Sequence, residues 1–399
     1  MITEKDNQLI ANDVYKVDSK KVNEPFQQGD LVANDKYIII EKPIDNLENG
    51  MQAMAVAPVV NGEVDKSRIV IAYAGTNAKD KNDINTDYQS VYGGNRDLSK
   101  PQNHTTAGQV DTALAFAKDI KDKYPNASIS TTGHSLGEYL ALLTSAENKW
   151  PNTGFNGPDP YNMISPEAKK WVKEHPEQLM NFKNSKDIIG IVNGNKTGSQ
   201  ILIDNNMHEG LALLNYHDLA AWQFDDYGNV LIPINSQNLK VIQEYKQKKY
   251  EASLTNIKTL KKKFKKSGGK LSSNEKIFLE SSTAIAIVTT ASTEFHSLLG
   301  SLGQIYKNGI TEAEELWDNT LEQSRAIGTH LSESEIKDAL TSVGFTEQSV
   351  VINQKEKFSE KLSQVNQMTH QFDELQSSIK ASINKLVETD KTLASEISA

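Results

Sequence analysis

The sequence is most constrained by a Gly-His-Ser-Leu-Gly segment at residues 133–137. The preceding residues 127–131 are typical of a short strand, and the Leu- and Ala-rich residues 138–147 are typical of a helix. Glycines on both sides of a serine permit a cramped strand-to-helix turn that holds the serine Oγ in the open. The segment therefore predicts that Ser135 is a nucleophile. It also predicts that the Leu136 amide, at a helix N-terminus, faces any oxyanion that forms.

The residues around this turn alternate between strand and helix patterns. Short β-rich runs lie at residues 37–40, 51–57, 68–73, 179–182 and 229–234, the last as a possible edge strand. The run at 68–73 is nearly continuous in apolar residues, as expected of a central strand covered on both faces, and residues 107–123 carry apolar positions at helical spacing. This alternation predicts an α/β domain, with a parallel sheet covered by helices, over residues 1–237.

The composition changes at about residue 238, after which Lys, Glu, Gln, Ser and Leu dominate. Helices are predicted at residues 238–266, 272–299, 311–331, from 332, and 358–397. The last keeps apolar residues at three-or-four spacing for about 40 residues, or roughly 60 Å of helix. A helix of that length needs a partner helix, from this chain or another. We therefore expect an all-α elongated domain over residues 238–399.

A serine nucleophile needs a base that takes its proton and a carboxylate that orients the base. In this kind of fold they follow in the order Ser, Asp, His. The candidates for the acid are Asp159, Asp187 and Asp204. Asp187 is preferred because it follows a predicted strand by a few residues, which places it at the same sheet edge as the serine. Asp159 lies in a Gly-Pro-Asp-Pro segment that is typical of a turn.

Two histidines follow Asp187 within the first domain, His208 and His217. His217 is the preferred base, because the apolar residues 221–224 just after it would support its loop. His208 has a neighbouring carboxylate and is also consistent with a solvated loop histidine. His134, inside the turn itself, is expected to point away from the substrate and to serve as a packing residue.

The second oxyanion donor is expected in the loop after the strand at 68–73, since that loop neighbours the serine turn in such a sheet. Thr76 is the predicted donor through its backbone amide, with a plain β-turn as the alternative. Residues 78–106 are polar and lack sustained periodicity. Loops of this length are usually functional or mobile, and we expect this one to act as a lid over an apolar acyl groove.

Composition excludes several kinds of function. The formal net charge of -9 argues against nucleic acid as the main partner. The absence of cysteine excludes disulfides, thiolate metal sites and cysteine nucleophiles, and the predicted chemistry needs no metal or cofactor. The N-terminal residues lack the apolar core of a secretory signal, and the most apolar stretches are too short to span a bilayer. Neither Sec-type export nor a transmembrane anchor is therefore expected.

Several segments, in this order, resemble the landmarks of class 3-like lipases. They are residues 71–77, 83–87, 132–137 and 155–158, followed by Asp187, His217 and Trp222. The resemblance covers residues 30–235 and implies an α/β-hydrolase fold that hydrolyses carboxylic esters of lipids. The chain departs from the pattern at Ala74, where such lipases often carry Arg, and at Glu138, where a second Gly commonly follows the turn.

The helical part is similar, more loosely, to the LXG and WXG modules of type VII secretion substrates. Leu298-Leu299-Gly300 fits Leu-x-Gly, and Trp317 lies in a predicted helical hairpin without the Gly of Trp-x-Gly. The enzyme domain comes first here, which reverses the usual LXG order and resembles lipase effectors of Gram-positive bacteria. The resemblance implies type VII export, small helical WXG100-like partners on the C-terminal domain, and room for an immunity protein on the lipase domain.

These features predict a secreted serine lipase or phospholipase that hydrolyses acyl esters of membrane glycerolipids and acts as an antibacterial or virulence toxin at a membrane surface. Two alternatives remain: a catalytically inactive lipase-like binding protein, and a peptidase or acyltransferase on the same fold. The basic run at residues 261–270 either docks on anionic lipid or is a solvated helix end.

Overall fold

The computed structural model describes residues 2–60, 62–76, 97–100, 104–205, 213–225, 228–233, 235, 237–268 and 273–397. They form two compact units, which we call the first unit (Met1–Lys248) and the second unit (Lys249–Ala399). The domain boundary predicted after residue 237 lies at the start of a helix, Asn238–Gly268. The compact units divide inside that helix, after Lys248.

The first unit is built on a mixed β-sheet. The strands are β1 (Leu31–Val32), β2 (Tyr37–Ile39), β3 (Ile44–Asp45), β4 (Gln52–Val60), β5 (Glu63–Val64), β6 (Arg68–Tyr73), β7 (Asp97–Lys100), β8 (His104–Ala107), β9 (Ser128–Gly133), β10 (Asn152–Phe155), β11 (Leu179–Asn184) and β12 (Gln200–Ile203). The sheet order is β1-β2-β4-β6-β9-β10-β11-β12, with β3 and β5 also paired to β4, while β7 and β8 form a separate antiparallel hairpin. Pairing is antiparallel from β1 to β6 and parallel from β6 to β12.

Four α-helices precede Asn238 in the described part of the first unit. They are α1 (Glu4–Asp13), α2 (Gln109–Lys123), α3 (Leu136–Asn148) and α4 (Pro166–Glu174), with 3₁₀ turns at Val14–Val17, Pro176–Gln178, Leu213–Tyr216 and Leu219–Ala221. Helix α3 is buried along most of its length, and its buried residues are mainly Leu and Ala. Helices α2 and α3 pack with alternate residues of β4 and β6 in one hydrophobic core. This core supports the turn that precedes α3.

The strand predictions at 68–73 and 179–182 are confirmed by β6 and β11, but the predicted edge strand at 229–234 is wrong. Within that range the described residues form one β-bridge, between Val230 and Phe224. The Val230 amide instead donates to the Glu4 carboxylate at 2.6 Å. The sheet ends at β12, a four-residue strand whose short run carries little sequence signal.

The second unit is helical. The helices are α5 (Asn238–Gly268, shared with the first unit), α6 (Ser273–Ile327), α7 (Glu333–Ser342) and α8 (Asn353–Ile397), with a π-helical turn at Gln348–Ile352. The mixed α/β sheet followed by a helical region confirms the predicted fold class at that level. No helix within these described ranges combines the length and the apolar character that crossing a bilayer requires.

Helix α6 is continuous where the sequence predicted two helices, at 272–299 and 311–331, so that prediction is wrong. Each mid-helix glycine costs about 1 kcal/mol relative to alanine, and Gly300 and Gly309 lie in the gap between the two predicted helices. A Cβ atom at Gly309 would collide with the Phe358 ring of α8. Glycine at this position therefore allows two helices to approach rather than ending one of them.

Helix α8 finds its partner helix within the chain. The Phe295 and Phe372 rings of α6 and α8 lie 4.1 Å apart between centroids. The neighbouring His296 Nε2 lies 2.7 Å from Asp373 Oδ1. Helix α6 therefore packs against the apolar stripe of α8 and is the partner helix that a helix as long as α8 requires.

Tyr245 connects α5 to the first unit. Its side chain is buried, and its hydroxyl lies 2.7 and 2.6 Å from the two carboxylate oxygens of Glu4, to which it donates its single hydrogen. Its ring meets the Phe182 ring of β11 nearly edge-on, with 5.6 Å between centroids. Residues beyond 237 therefore contribute to the core of the first unit.

We expect Tyr245→Ala in the full chain to lower the free energy of unfolding of the first unit by about 3–5 kcal/mol, as is usual when a large aromatic leaves a core. Tyr245→Phe should cost about 1.5–3 kcal/mol, because it removes only the hydrogen bond to a charged group. Urea denaturation followed by near-ultraviolet circular dichroism measures both. Lys240→Ala, at an exposed position of the same helix, is the control, and equal unfolding midpoints for Tyr245→Ala and Lys240→Ala would contradict the prediction.

Candidate active site

Ser135 lies in a sharp turn between β9 and α3. Its backbone has φ +57° and ψ -128°, a conformation that costs a non-glycine residue free energy and persists only where its surroundings impose it. A Cβ atom at Gly133 would collide with the Gly137 backbone, and one at Gly137 would collide with the Tyr73 carbonyl of β6. Both flanking glycines are therefore required for the close approach of strand and helix that holds the serine in place.

The structure brings Ser135, His217 and Asp187 together in one hydrogen-bonded chain. His217 Nε2 lies 2.8 Å from Ser135 Oγ, and His217 Nδ1 lies 2.8 Å from Asp187 Oδ2. Because an ionised carboxylate only accepts, Nδ1 carries the proton and Nε2 is left to accept from the serine hydroxyl. The Asp187 side chain is 1% exposed and that of His217 is 15% exposed. This is the arrangement that a serine nucleophile requires.

Sheet topology explains why these residues meet. Ser135 follows β9 and Asp187 follows β11, and both strands pair in parallel with β10. Carboxyl ends of parallel strands lie at one edge of a sheet, which is where open α/β sheets place their sites. His217 lies between two 3₁₀ turns, and Trp222 after it packs against both the Phe155 and the Phe182 ring, with 5.9 and 6.2 Å between centroids.

The other two acid candidates bind elsewhere. The Asp159 carboxylate accepts from the Thr197 amide and hydroxyl at 2.9 and 2.7 Å, and so ties two loops together. The Asp204 carboxylate accepts from Asn235 Nδ2 at 3.0 Å. Of the three aspartates, Asp187 is the one in contact with His217. His208, the other base candidate, lies outside the described residues.

Leu136 and the loop that carries Thr76, the two predicted sources of oxyanion donors, both lie at the serine turn. Leu136 is the first residue of α3, and the first amides of a helix have no acceptor within the helix. Thr76 follows β6, which pairs with β9 so that Tyr73 lies opposite Gly133. A Cβ atom at Gly75 would come within 2.6 Å of the His134 carbonyl oxygen. The loop that carries Thr76 therefore lies against the serine turn, and the donor role of its amide stays a prediction.

His134 is buried as expected, but it does more than pack. Its Nε2 lies 2.6 Å from the backbone carbonyl oxygen of His217, and its Nδ1 lies 2.8 Å from the Tyr15 hydroxyl. A carbonyl only accepts, so Nε2 carries the hydrogen and Nδ1 accepts from Tyr15. Burial, together with the nearby His217, lowers the pKa of His134 to about 4. The ring is therefore neutral near pH 7, with one defined tautomer.

Glu138, where the resembling lipases commonly have Gly, is fully buried beneath the turn. Asn152 Nδ2 donates to its Oε1 at 2.7 Å, and among the described residues no group donates to Oε2. A Cβ atom at Gly154 would overlap its carboxylate, so that glycine provides the space. Burial raises the pKa of Glu138 well above its usual value, while the Asn152 hydrogen bond and Lys183 oppose the rise. Burial also lowers the pKa of Lys183 to about 8.

Two sequence predictions cannot be placed. The lid prediction, residues 78–106, falls mainly on residues 78–96 and 101–103, outside the described residues, as does the segment 83–87. Among the residues whose positions are described, no group of three His, Asp or Glu side chains is arranged to hold a metal ion.

No family model and no curated protein matches this sequence. Several solved fungal lipase structures resemble it. The native propeptide complex of Rhizomucor miehei lipase is 16% identical, with a TM-score of 0.32, over 51% of this chain and 67% of that chain. The lipase from Rhizopus microsporus var. chinensis is 12% identical, with a TM-score of 0.30, over 52% and 75% of the two chains. Lipase II from Rhizopus niveus is 15% identical, with a TM-score of 0.29, over 49% and 74%. Likeness at this level assigns neither activity nor substrate.

We expect His134 to make the stability of the chain depend on pH. Its folded pKa of about 4 lies below the ordinary value of 6.5, so the unfolded chain binds more protons between these values, and stability falls as the pH falls from 6.5 to 4. The full effect is about 3 kcal/mol, from 1.36 kcal/mol per pKa unit. Urea titrations across this range on the parental chain and His134→Gln should give free energies whose difference changes with pH in this direction.

The difference between the two curves of unfolding free energy against pH isolates the contribution of His134, because the other buried groups titrate in both chains. Glu138 has a raised pKa and acts in the opposite direction, since its neutral folded form loses stability as the pH rises above about 4.5. A difference between the two chains that stays constant from pH 6.5 to pH 4 would show that His134 does not titrate in this way.

Proposed function

We propose that the first unit is a serine esterase of the α/β-hydrolase type that hydrolyses acyl esters of membrane glycerolipids. The observation that carries the proposal is the hydrogen-bonded chain from Ser135 through His217 to Asp187, with both distances at 2.8 Å. The strained backbone of Ser135, at the carboxyl end of a strand in the parallel part of the sheet, supports it further.

In this reaction Ser135 Oγ attacks the acyl carbonyl carbon, and His217 Nε2 takes the hydroxyl proton. Asp187 stabilises the imidazolium that forms, and the Leu136 and Thr76 amides receive the oxyanion of the tetrahedral intermediate. When the intermediate collapses, His217 gives its proton to the leaving alcohol. Water then releases the acid from Ser135 by the same steps, with His217 again acting as base and then as acid.

The lipid substrate is a narrower proposal than ester hydrolysis, and its support is the resemblance of the ordered segments to class 3-like lipases. The assembled triad favours an active enzyme over an inactive binding protein. A peptidase or acyltransferase would use the same triad. Relative rates on a series of esters of rising acyl length, compared with peptide substrates, distinguish these activities.

We expect Ser135→Ala to lower the release of fatty acid from phospholipid vesicles on the order of 10⁶-fold, the loss found when a triad serine is removed. Asp187→Asn should cost about 10⁴-fold, because His217 then loses its orienting partner. Labelling by a fluorophosphonate probe should be absent in Ser135→Ala and present in Ser128→Ala, a control at an exposed position of β9. Fatty acid release by Ser135→Ala at the parental rate would rule out the proposed nucleophile.

We further propose that the second unit is an export and partner-docking module, and that the enzyme is a secreted toxin delivered by type VII secretion. Its support is the loose LXG resemblance and a row of exposed apolar side chains on α6. Leu298, Ile305 and Leu316 are more than half exposed. Their spacings of two and three helical turns place them on one face, which suits a small helical partner with an apolar stripe. An immunity protein would bind the first unit.

Removal of residues 249–399 should abolish export from the producing bacterium and leave ester hydrolysis intact, because the triad and Tyr245 belong to the first unit. Esterase activity in culture medium and in cell lysate measures both quantities. Full-length Ser135→Ala, followed by immunoblot, is the control for export without activity. Parental export levels of the shortened chain would refute the delivery role.

A further inference from the structure

The most informative group outside the triad is the side chain of Asn156, directly after β10. It is fully buried, and its backbone has φ +53°, in the left-handed region that asparagine tolerates better than most residues. Its position between β9 and β11 places it midway between the elements that carry the nucleophile and the acid.

The Asn156 side chain holds both loops that complete the triad. Its Oδ1 accepts from the Asn184 amide at 3.2 Å. Its Nδ2 donates to the carbonyl oxygens of His217 and Tyr216 at 2.9 and 3.3 Å. Only one orientation of the amide satisfies these partners, since the oxygen must face an N–H and the nitrogen must face carbonyls.

The hydrogen bond to the Asn184 amide lies at the start of the turn that carries the acid, Asp187. The Asp187 amide donates to the Asn184 carbonyl at 3.1 Å, and the Lys186 amide donates to Asn184 Oδ1 at 3.0 Å. Asn184 thus begins the tight turn that presents Asp187. By holding the Asn184 amide, Asn156 sets where this turn starts.

The contact at His217 controls the base. The His217 carbonyl oxygen accepts two hydrogen bonds, from Asn156 Nδ2 at 2.9 Å and from His134 Nε2 at 2.6 Å. His134 belongs to the serine turn itself, and Tyr15 fixes the tautomer that makes Nε2 the donor. The backbone of the base is therefore tied to the strand edge on one side and to the nucleophile turn on the other.

We infer that Asn156 and His134 are positioning residues: together they grip the His217 carbonyl, and Asn156 also ties it to the acid turn, so that the base faces Ser135 and Asp187 at once. This inference rests on the proposed function. His217 lies in a loop between two 3₁₀ turns, outside any helix or strand, and a displacement of about 1 Å in a reacting group costs about 100-fold in rate. The two residues supply the restraint that the loop lacks.

The test measures kcat and KM separately for p-nitrophenyl butyrate in the full chain. Asn156→Gly removes the amide but keeps a residue that adopts a positive φ without strain. It should lower kcat about 100-fold and leave KM close to the parental value, because the fully buried Asn156 side chain contacts the acid and base loops. Asn193→Gly is the matched control, an exposed asparagine at φ +66°, and it should retain the parental kcat.

A second pair of variants tests His134, the other residue that donates to the His217 carbonyl oxygen. His134→Leu removes the hydrogen bond to the His217 carbonyl and should lower kcat, whereas His134→Gln places an amide N–H near the position of Nε2 and should recover most of that loss. Recovery by Gln distinguishes positioning from packing, because Leu fills the buried site at least as well. This pair also decides the question if Asn156→Gly does not fold.

Fluorophosphonate labelling distinguishes a failure of the proposed esterase function from a failure of the positioning role. If the parental chain is not labelled, the proposed function fails and this inference with it. If the parental chain is labelled and folded Asn156→Gly reacts at the same rate and with the same kcat, the positioning role is overturned while the esterase stands. Equal kcat values for His134→Leu and His134→Gln would likewise overturn the role of His134.

Discussion

The close approach of helix α3 to strands β6 and β9 is the constraint on which the rest of the site depends. Gly137 lies against the Tyr73 carbonyl, and Gly133 lies against the backbone of the helix it precedes. With no side chain on either glycine, Ser135 occupies a strained backbone conformation that the buried helix behind it maintains. The nucleophile is thus positioned by packing, and the acid and base are brought to it by loops.

Polar groups buried beneath the turn extend this arrangement. Glu138 occupies space that Gly154 leaves open, and it accepts from Asn152. A buried carboxyl group with one unpaired oxygen costs stability, and burial favours its neutral form by raising its pKa. The departure from the resembling lipases at this position is therefore accommodated by neighbouring glycines and amides, and the contacts among the triad residues remain formed.

The sequence predicts the residues of the site more completely than it predicts the tertiary contacts that hold them. Ser135, Asp187 and His217 were predicted from motif, strand position and order along the chain, and the structure brings them within hydrogen-bonding distance. The continuity of α6 was mispredicted, because local pattern does not show that Phe358 packs over Gly309. Asn156 lies in a segment, residues 155–158, that resembles a lipase landmark, but the resemblance gives its side chain no role. Its three partners lie 28, 60 and 61 residues away, so no local signal could reveal its part in the site.

The sequence by itself determined the nucleophile turn, the alternation that makes an α/β sheet, and the change to helices after residue 237, because these depend on short-range backbone preference and on the spacing of apolar residues. Only the tertiary structure decided which aspartate meets His217, what His134 binds, and how one buried amide joins the acid and base loops. These contacts depend on which strand ends share an edge and on which polar groups are buried together, and that is a property of the whole sheet.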